Sequence, residues 1–177
     1  MDELEQWLSV SYAPAYRTAC LILQNPADAE EAVQDGFLRA WRFRDSLPAD
    51  PEGVRPWIYR VVVNACCSKL RKERSWREHR GELDDLRARH AADTEPDVAA
   101  EAAEASDAMH DALSSLPEHL RIPVVLRYYS GLTEAEIATA IRRRPGTVKS
   151  RLHEARTRLA ANPRLRALRA RDVEEAQ

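Results

Sequence analysis

The sequence predicts an all-α protein made of two small helical domains joined by an acidic linker. Apolar side chains recur at three- and four-residue spacings along most of the chain, and only five residues are glycine. Regular alternation of apolar and polar residues is scarce, which argues against a sheet protein. Hydrophobic residues make up 44% of the chain and charged residues 32%, so we expect small cores with large solvated surfaces.

Charge is unevenly distributed, although the formal net charge is only −2. Residues 1–80 carry 12 basic and 12 acidic side chains, residues 81–111 carry 2 and 10, and residues 112–177 carry 13 and 7. This asymmetry favours separate binding partners for the two ends of the chain. We therefore expect a first domain at 1–80, an acidic linker at 81–107, a basic second domain at 108–162 and a tail at 163–177.

Helices fill the first domain. An apolar stripe at helical spacing runs from Leu4 to Leu23. A second helix begins at Asn25–Pro26, because asparagine caps a helix start and proline is tolerated at the first helical position. After a loop at 44–55, Pro56 is expected to begin a third helix.

The third helix becomes strongly basic toward its end. Residues 60–80 carry seven basic side chains against two acidic ones. Cations commonly stabilise a helix C-terminus, and that is one interpretation of this run. Seven cations beside aromatic residues are more typical of a surface that binds the phosphates and stacks the bases of a single nucleic-acid strand. The aromatic residues are Trp57, Tyr59 and Trp76.

The second domain contains a segment, residues 132–159, with the layout of a helix-turn-helix. Thr133 and Glu136 form a T-x-x-E capping box at the start of one helix, and Pro145 suits the first position of the next. Upstream, Pro123 is expected to kink or break a helix, because it removes one backbone hydrogen bond. An ordinary helical hairpin with a solvated face is the alternative. A basic, hydroxyl-rich outer face favours entry into a major groove: Thr147, Lys149, Ser150, His153 and Arg156.

Other functional classes find little support. No apolar run approaches the roughly 18 residues that a membrane helix needs, and the N-terminus is acidic, so we expect a cytoplasmic protein without membrane insertion. Cys20, Cys66 and Cys67 show no metal-ligand spacing, and the five histidines are scattered. We interpret the adjacent Cys66 and Cys67 as two small apolar residues on a helix, and a redox switch is the alternative. We expect no cofactor, no metal and no enzymatic activity.

Two sets of motifs, separated by the acidic linker, resemble the extracytoplasmic-function (ECF) group of bacterial RNA polymerase sigma factors. The first set is DAEEAVQDGFLRAW at 28–41 and RPWIYRVVVNACCSKLRKER at 55–74. The second set is LPEHLRIPVVLRYYSGLTEAEIA at 116–138 and PGTVKSRLHEAR at 145–156. The resemblance implies a sigma region 2 helical bundle in the first domain and a region 4 helix-turn-helix in the second.

The resemblance also implies partners. Such a factor binds core RNA polymerase, at the clamp helices of the largest subunit and at the upstream-facing flap, and promotes transcription initiation. It recognises −35 and −10 promoter elements as duplex and melted DNA. An anti-sigma factor is a further partner that the family allows. Polymerase binding is implied for Glu31, Gln34 and Asp35, which three- and four-residue spacings place near one another.

The resemblance assigns two sets of DNA-binding residues. The third helix would bind the −10 element, and the loop before it would capture a flipped base. Its contacts would be Trp57, Arg60, Asn64, Lys69, Arg71 and Lys72. The recognition helix would read the −35 element through Thr147, Lys149, Ser150, Arg151, His153, Glu154 and Arg156.

Two residues of the helix-turn-helix depart from the family pattern. Arg142 replaces the glycine that usually closes the first helix of the motif, so the turn must adapt or strain slightly. Glu154 replaces a residue that is basic in many members. Because a carboxylate can accept a hydrogen bond from a cytosine amino group or repel phosphate, we expect a −35 preference that differs from the commonest one.

The main alternative is a stand-alone helix-turn-helix regulator that binds duplex DNA as a dimer. The first domain discriminates between the two, because a dimeric repressor has no need for a basic single-strand surface beside an acidic docking helix. Binding to core polymerase would separate the two hypotheses.

Overall fold

The computed structural model of the protein describes residues 3–80 and 100–167. Across those ranges the chain forms helices and no strand, which confirms the all-α prediction. The segments 81–99 and 168–177, parts of the predicted linker and tail, lie outside the described residues. In chain order the elements are α1 (Glu3–Leu23), α2 (Pro26–Arg42), a 3-10 turn (Arg44–Ser46), α3 (Pro51–Arg80), α4 (Ala100–Ser115), α5 (Glu118–Val124), a π-helical turn (Val125–Tyr129), α6 (Glu134–Ala140) and α7 (Pro145–Ala160).

Helices α1, α2 and α3 form the first bundle. Its core includes Ile22, Val33 and Val62, one from each helix, all fully buried. Gly36 lies where α2 crosses α3, and a Cβ atom there would come within 3.2 Å of the Val62 Cα atom. The two helices therefore approach more closely than a larger side chain would allow.

The helix starts in this bundle follow local capping chemistry. Asn25 caps α2 as predicted, since its Oδ1 atom accepts the backbone N–H groups of residues 27 and 28. The predicted start of α3 at Pro56 is wrong, because the helix begins at Pro51. Asp50 accepts the N–H of Glu52 at 3.1 Å and provides the true cap. Pro56 lies in the second turn, where its missing N–H costs a single hydrogen bond.

The helical backbone continues through Pro123, so the helix does not break at this residue. Two residues later the helix widens into the π-helical turn, in which the Ser130 N–H donates to the Val125 carbonyl at 3.0 Å. Gly131 then adopts a φ of +71°, a left-handed conformation that suits glycine. The widened turn and the glycine together redirect the chain into α6.

Helices α5, α6 and α7 form the second bundle around buried Ile137, Val148 and Leu152. The capping box predicted at the start of α6 is confirmed, with both reciprocal hydrogen bonds present. Arg142 follows the end of α6 with a φ of +53°. The expectation of a strained turn at this residue is confirmed, because L-residues other than glycine rarely adopt that conformation.

The two bundles pack against each other. Helix α6 contacts α3, and the π-helical turn contacts α1. Within the described residues, three polar side chains are fully buried, and all three lie where the bundles meet: Thr18, Arg121 and Ser130.

Candidate nucleic-acid interface

Helix α7 has a buried back and an exposed opposite side. Its back is buried against the second bundle through Val148, Leu152 and Ala155. At about 100° per residue, the side opposite this back carries Ser150, His153, Glu154 and Thr157. All four of these side chains are exposed. We call them the α7 strip.

Basic residues border the α7 strip on both sides. Lys149 and Arg156, seven residues apart, lie along one edge, and Arg151 and Arg158 lie along the other. Thr147 is next to the second edge and is half-buried. A polar strip between two basic edges matches the base edges and the two phosphate backbones that border a major groove.

Three side-chain hydrogen bonds organise the α7 strip, one of them from the Thr157 hydroxyl to the His153 carbonyl at 3.2 Å. The Ser150 hydroxyl donates to the Thr147 carbonyl at 3.0 Å. Glu154, the single acidic residue of α7, accepts from the Arg158 guanidinium at 2.9 Å. Arg158 is absent from the residue set predicted from the sequence, although its i,i+4 spacing from Glu154 could have identified it.

The residues predicted to bind the −10 element do not share one environment on α3. Trp57 is buried, whereas Arg60 and Asn64 are half-buried. Arg71 and Lys72 are exposed and lie about 20 Å beyond Trp57 along the helix, and about 10 Å beyond Asn64, at 1.5 Å per residue. The structure therefore separates the start of α3, rich in packed side chains, from its exposed basic end.

Lys69 is committed to contacts within the first bundle. Its ammonium group donates to Asp28 at 2.9 Å and to Glu31 at 2.6 Å, and only 17% of the side chain is exposed. Burial alone would lower the pKa of Lys69, but the hydrogen bonds to the two carboxylates outweigh it and raise the pKa. Lys69 thus ties α3 to α2 instead of projecting into solvent.

A cleft of about 300 Å³ lies at the start of α3. One wall comes from the first half of the chain, and α6 forms the other wall. The cleft is mostly apolar, and its lining includes one guanidinium, from Arg60, and one carboxylate, from Glu136. Its lining residues are Pro48, Gly53, Pro56, Trp57, Arg60, Ala135, Glu136 and Thr139. We call this space the α3–α6 cleft.

The three residues predicted to bind polymerase are all exposed on α2. Gln34 donates to the Glu30 carboxylate at 3.3 Å, and Glu31 shares Lys69 with Asp28. Leu38, one turn beyond Gln34, is 58% exposed and extends this face with an apolar group. The sequence prediction missed Leu38, since an apolar residue on a helix is usually assigned to the core.

The remaining features of the described part of the chain concern metal ligation, membrane spans and cysteine thiols. No group of histidine, cysteine and carboxylate side chains there could hold a metal ion. No described helix is long and apolar enough to cross a membrane. Cys66 and Cys67 lie on α3 with free thiols, and burial raises the pKa of the Cys66 thiol.

Two family models match the chain. Sigma-70 region 2 matches residues 10–76, and Sigma-70, region 4 matches residues 106–159. In three dimensions the chain resembles the sigma factor RpoE from Bartonella quintana, solved in complex with the anti-sigma factor NepR. The TM-score is 0.70 at 22% sequence identity, with 90% of this chain and 95% of that one covered, so this likeness supports the fold.

Known relatives agree with the family models. The ECF RNA polymerase sigma factor SigM of Mycobacterium tuberculosis is 35% identical over 145 residues, which span 82% of this chain and 69% of SigM. SigL from the same organism is 32% identical over 145 residues, which span 81% of this chain and 78% of SigL. The presence of region 2 as well as region 4 disfavours a stand-alone regulator. The chain belongs to the ECF sigma factors of RNA polymerase, and its function is promoter recognition.

Proposed function

We propose that this sigma factor divides its contacts among three helices. Helix α2 binds core RNA polymerase, α3 and the loop before it bind the melted −10 element, and α7 reads the −35 duplex. The proposal assigns residues 1–80 to the first two contacts and residues 108–162 to the third, with 81–107 as the acidic linker. The observation that carries it is the α7 strip, a row of exposed polar groups between two basic edges, of which only Arg151 is half-buried.

The α2 contact rests on an exposed acidic face. Glu31, Gln34 and Asp35 offer carboxylates and an amide to a basic partner, and Leu38 adds exposed apolar area. Association between such a face and a basic helical pair would gain rate and specificity from charge complementarity. A charge reversal at Asp35 is therefore expected to weaken binding to core polymerase.

The −10 contact divides between the two ends of α3. The α3–α6 cleft would receive a flipped base between apolar walls and the Arg60 guanidinium, while Arg71 and Lys72 would hold phosphates. Trp57 and Asn64 would shape the cleft and the duplex junction beside it. Lys69 contributes by fixing α3 on α2, since its ammonium group already has two carboxylate partners.

Base reading on the −35 element would fall to Ser150, His153 and Glu154. The Glu154 carboxylate can accept a hydrogen bond from the cytosine amino group, and Arg158 holds it in place. Selection of −35 sequences should therefore return a cytosine at one position, and Glu154→Arg should shift that position toward guanine. Glu134→Gln, an exposed change on α6, is the control. An unchanged sequence preference in the Glu154→Arg variant would contradict this assignment.

The test of the proposed function is run-off transcription with purified core polymerase and genomic fragments. The full chain should support specific initiation, and Lys149→Glu or Arg151→Glu should reduce it without unfolding the protein. Salt dependence should be steep, with a log–log slope of about one unit per phosphate contact. Core polymerase that neither binds the chain nor initiates transcription with it would contradict the proposal.

The wider setting follows from the family. RpoE from Bartonella quintana was solved with an anti-sigma factor, and we propose an anti-sigma factor as a partner of this chain as well. We infer that the protein acts in the cytoplasm with the polymerase, as a non-enzymatic initiation factor that requires no cofactor.

A further inference from the structure

Three consecutive arginines form the turn between α6 and α7. Arg142, Arg143 and Arg144 precede Pro145, the first residue of α7, and all three are exposed. Within the described residues, none of their side chains takes part in an ion pair or a hydrogen bond. The residues proposed to read the −35 element begin only at Thr147, so these three cations have no part in that contact. We call them the arginine turn.

The backbone of the arginine turn is fixed from both sides. The Arg143 N–H donates to the Ala138 carbonyl at 2.9 Å, and the Arg142 N–H donates to the Thr139 carbonyl at 3.4 Å. With the left-handed φ of +53° at Arg142, these two bonds make the Schellman arrangement that closes many helices. The Arg144 carbonyl then accepts the first backbone hydrogen bonds of α7. The three side chains are therefore presented on an ordered backbone.

Local stability favours a different residue at each of the three positions. The left-handed position of a Schellman turn favours glycine, and the next position commonly holds an apolar residue that packs on the helix. The N-cap of α7 favours Ser, Thr, Asp or Asn, but it is occupied by Arg144, which makes no side-chain cap. A cation at this end also opposes the helix dipole. Such conflicts with local stability are concentrated where a protein binds its ligand.

The other left-handed residue besides glycine in the described ranges shows no such conflict. Gln24 adopts a φ of +57°, and its side-chain amide donates to the Leu21 carbonyl at 2.7 Å. The Gln24 side chain thus stabilises the end of α1. The Arg142 side chain has no partner among the described residues, so its contribution is its charge.

The arginine turn lies where the phosphates of a bound duplex would pass. In a helix-turn-helix, the second helix enters the major groove with its N-terminal residues, and the first helix crosses the DNA backbone. The turn between the two helices is therefore at the border of the groove. Arg144 precedes Ser150 by six residues, about 9 Å along the axis at 1.5 Å per residue. The arginine turn thus extends the basic edges of the α7 strip past the start of the helix.

We propose that the arginine turn is a phosphate-binding element for duplex DNA, which holds the backbone beside the groove that α7 enters. It supplies affinity that does not depend on sequence, whereas the α7 strip supplies the sequence preference. The inference rests on the proposed −35 contact of α7, and it adds a second contact whose residues weaken the fold of the turn that carries them.

Substitutions that suit the fold but remove the charge test this proposal. Arg142→Gly provides the residue that the left-handed position favours, and Arg144→Ser provides an N-cap. Each change should raise the thermal unfolding midpoint of the free chain. Each should also weaken duplex binding, by up to about eightfold in about 0.1 M salt, and lower the log–log salt slope by about 0.9. The double variant should lower the slope by about 1.8.

The matched controls keep the charge. Arg142→Lys and Arg144→Lys retain a cation at each position and should leave both the unfolding midpoint and the salt slope close to those of the wild type. Unlike the neutral variants, they do not relieve the left-handed strain or add a cap. A salt slope that fell as far in the lysine variants as in the neutral ones would overturn the proposal.

Two duplexes serve as probes, each titrated with holoenzyme assembled from core polymerase and one variant. The first carries the −35 element of a promoter that the chain transcribes, and the second carries the same sequence with that element scrambled. Because phosphates are common to both, the neutral variants should lose affinity for the two duplexes by the same factor.

The outcomes separate this inference from the proposed function. Unchanged duplex affinity, a loss confined to the −35 duplex, or a lowered unfolding midpoint in the neutral variants would overturn the phosphate contact. Weaker binding to core polymerase with unchanged duplex binding would also overturn it, because the arginine turn would then be a protein contact. Wild-type holoenzyme that did not distinguish the two duplexes would instead count against −35 reading by α7, and equal losses in the variants would still support the phosphate contact.

Discussion

Helices α3 and α7, both proposed to bind DNA, place their cations in different surroundings. On α3, Lys69 is paired with two carboxylates of α2, and Arg74 is paired with Glu118 of α5 at 2.6 Å. On α7, no ion pair within the described residues involves Lys149, Arg151 or Arg156. Two cations of α3 thus stabilise the fold, although Arg71 and Lys72 of the same helix stay exposed. Three of the four cations of α7 remain available to a ligand, and the fourth, Arg158, is paired with Glu154.

The difference follows from how many sides of each helix are covered. Helix α3 has α1 and α2 on one part of its surface and α6 on another, whereas α7 packs against α5 and α6 along its back alone. A cation on a helix surrounded by other elements meets carboxylates of its neighbours. A cation on a helix with one covered side stays in solvent. Charge density in the sequence therefore does not by itself identify a nucleic-acid surface.

The largest difference in stability is expected between two glycine-to-alanine changes, one where α2 crosses α3 and one on α7. Gly36→Ala would bring a Cβ atom within 3.2 Å of the Val62 backbone, and overpacking there should lower the free energy of unfolding by about 1–3 kcal/mol. At Gly146 on α7 the added Cβ atom would meet no atom within 4 Å. Gly146→Ala should therefore raise the free energy of unfolding by about 0.5–1 kcal/mol. Denaturant unfolding measures both, and effects of the same sign would contradict the comparison.

A smaller contrast is expected from matched lysines. Lys69→Ala should lower the free energy of unfolding by about 1–2 kcal/mol, because two carboxylates lose a partly buried partner. Lys149→Ala should leave the unfolding midpoint unchanged but weaken duplex binding and reduce its salt slope by about 0.9. Unfolding curves and titrations at several salt concentrations measure these two effects. If Lys149→Ala unfolded the protein as readily as Lys69→Ala, the distinction between the helices would fail.

The Lys69 contribution should also depend on pH in a defined direction. Its pKa in the folded protein is raised above the ordinary lysine value of 10.5, so the ion pairs stabilise the fold fully below that pH. Their contribution is lost as pH rises through the folded pKa. The difference in stability between wild type and Lys69→Ala should therefore narrow in strongly alkaline solution, and a difference that widened would exclude this assignment.

Sequence reasoning succeeded where the signal was local. The cap at Asn25 and the capping box at Thr133 and Glu136 each involve residues within one turn, and both are present. The sequence predicts that α3 starts at Pro56, but it starts at Pro51. Asp50 caps the helix just before that proline, as Asn25 does before Pro26. Local capping chemistry is therefore sufficient to identify Pro51 as the first residue of α3.

The sequence could not reveal contacts between distant residues. Lys69 and Asp28 are 41 positions apart, and Arg121 and Ile22 are 99 apart. Nothing near either cation in the sequence distinguishes it from a DNA-binding one. The sequence therefore predicts one DNA-binding surface at the basic end of α3. In the structure Lys69 is paired with carboxylates, whereas Arg71 and Lys72 are exposed.

The smallest contrast is expected at the two left-handed residues that end helices, Gln24 with φ +57° and Arg142 with φ +53°. Arg142→Gly should raise the free energy of unfolding by up to about 1 kcal/mol, because glycine adopts this conformation without strain. Gln24→Gly should gain less, since the Gln24 amide donates to the Leu21 carbonyl at 2.7 Å and that bond would be lost. Thermal unfolding of both variants measures the difference. A larger gain at Gln24 would mean that the first bundle, not the helix-turn-helix, carries the more strained turn.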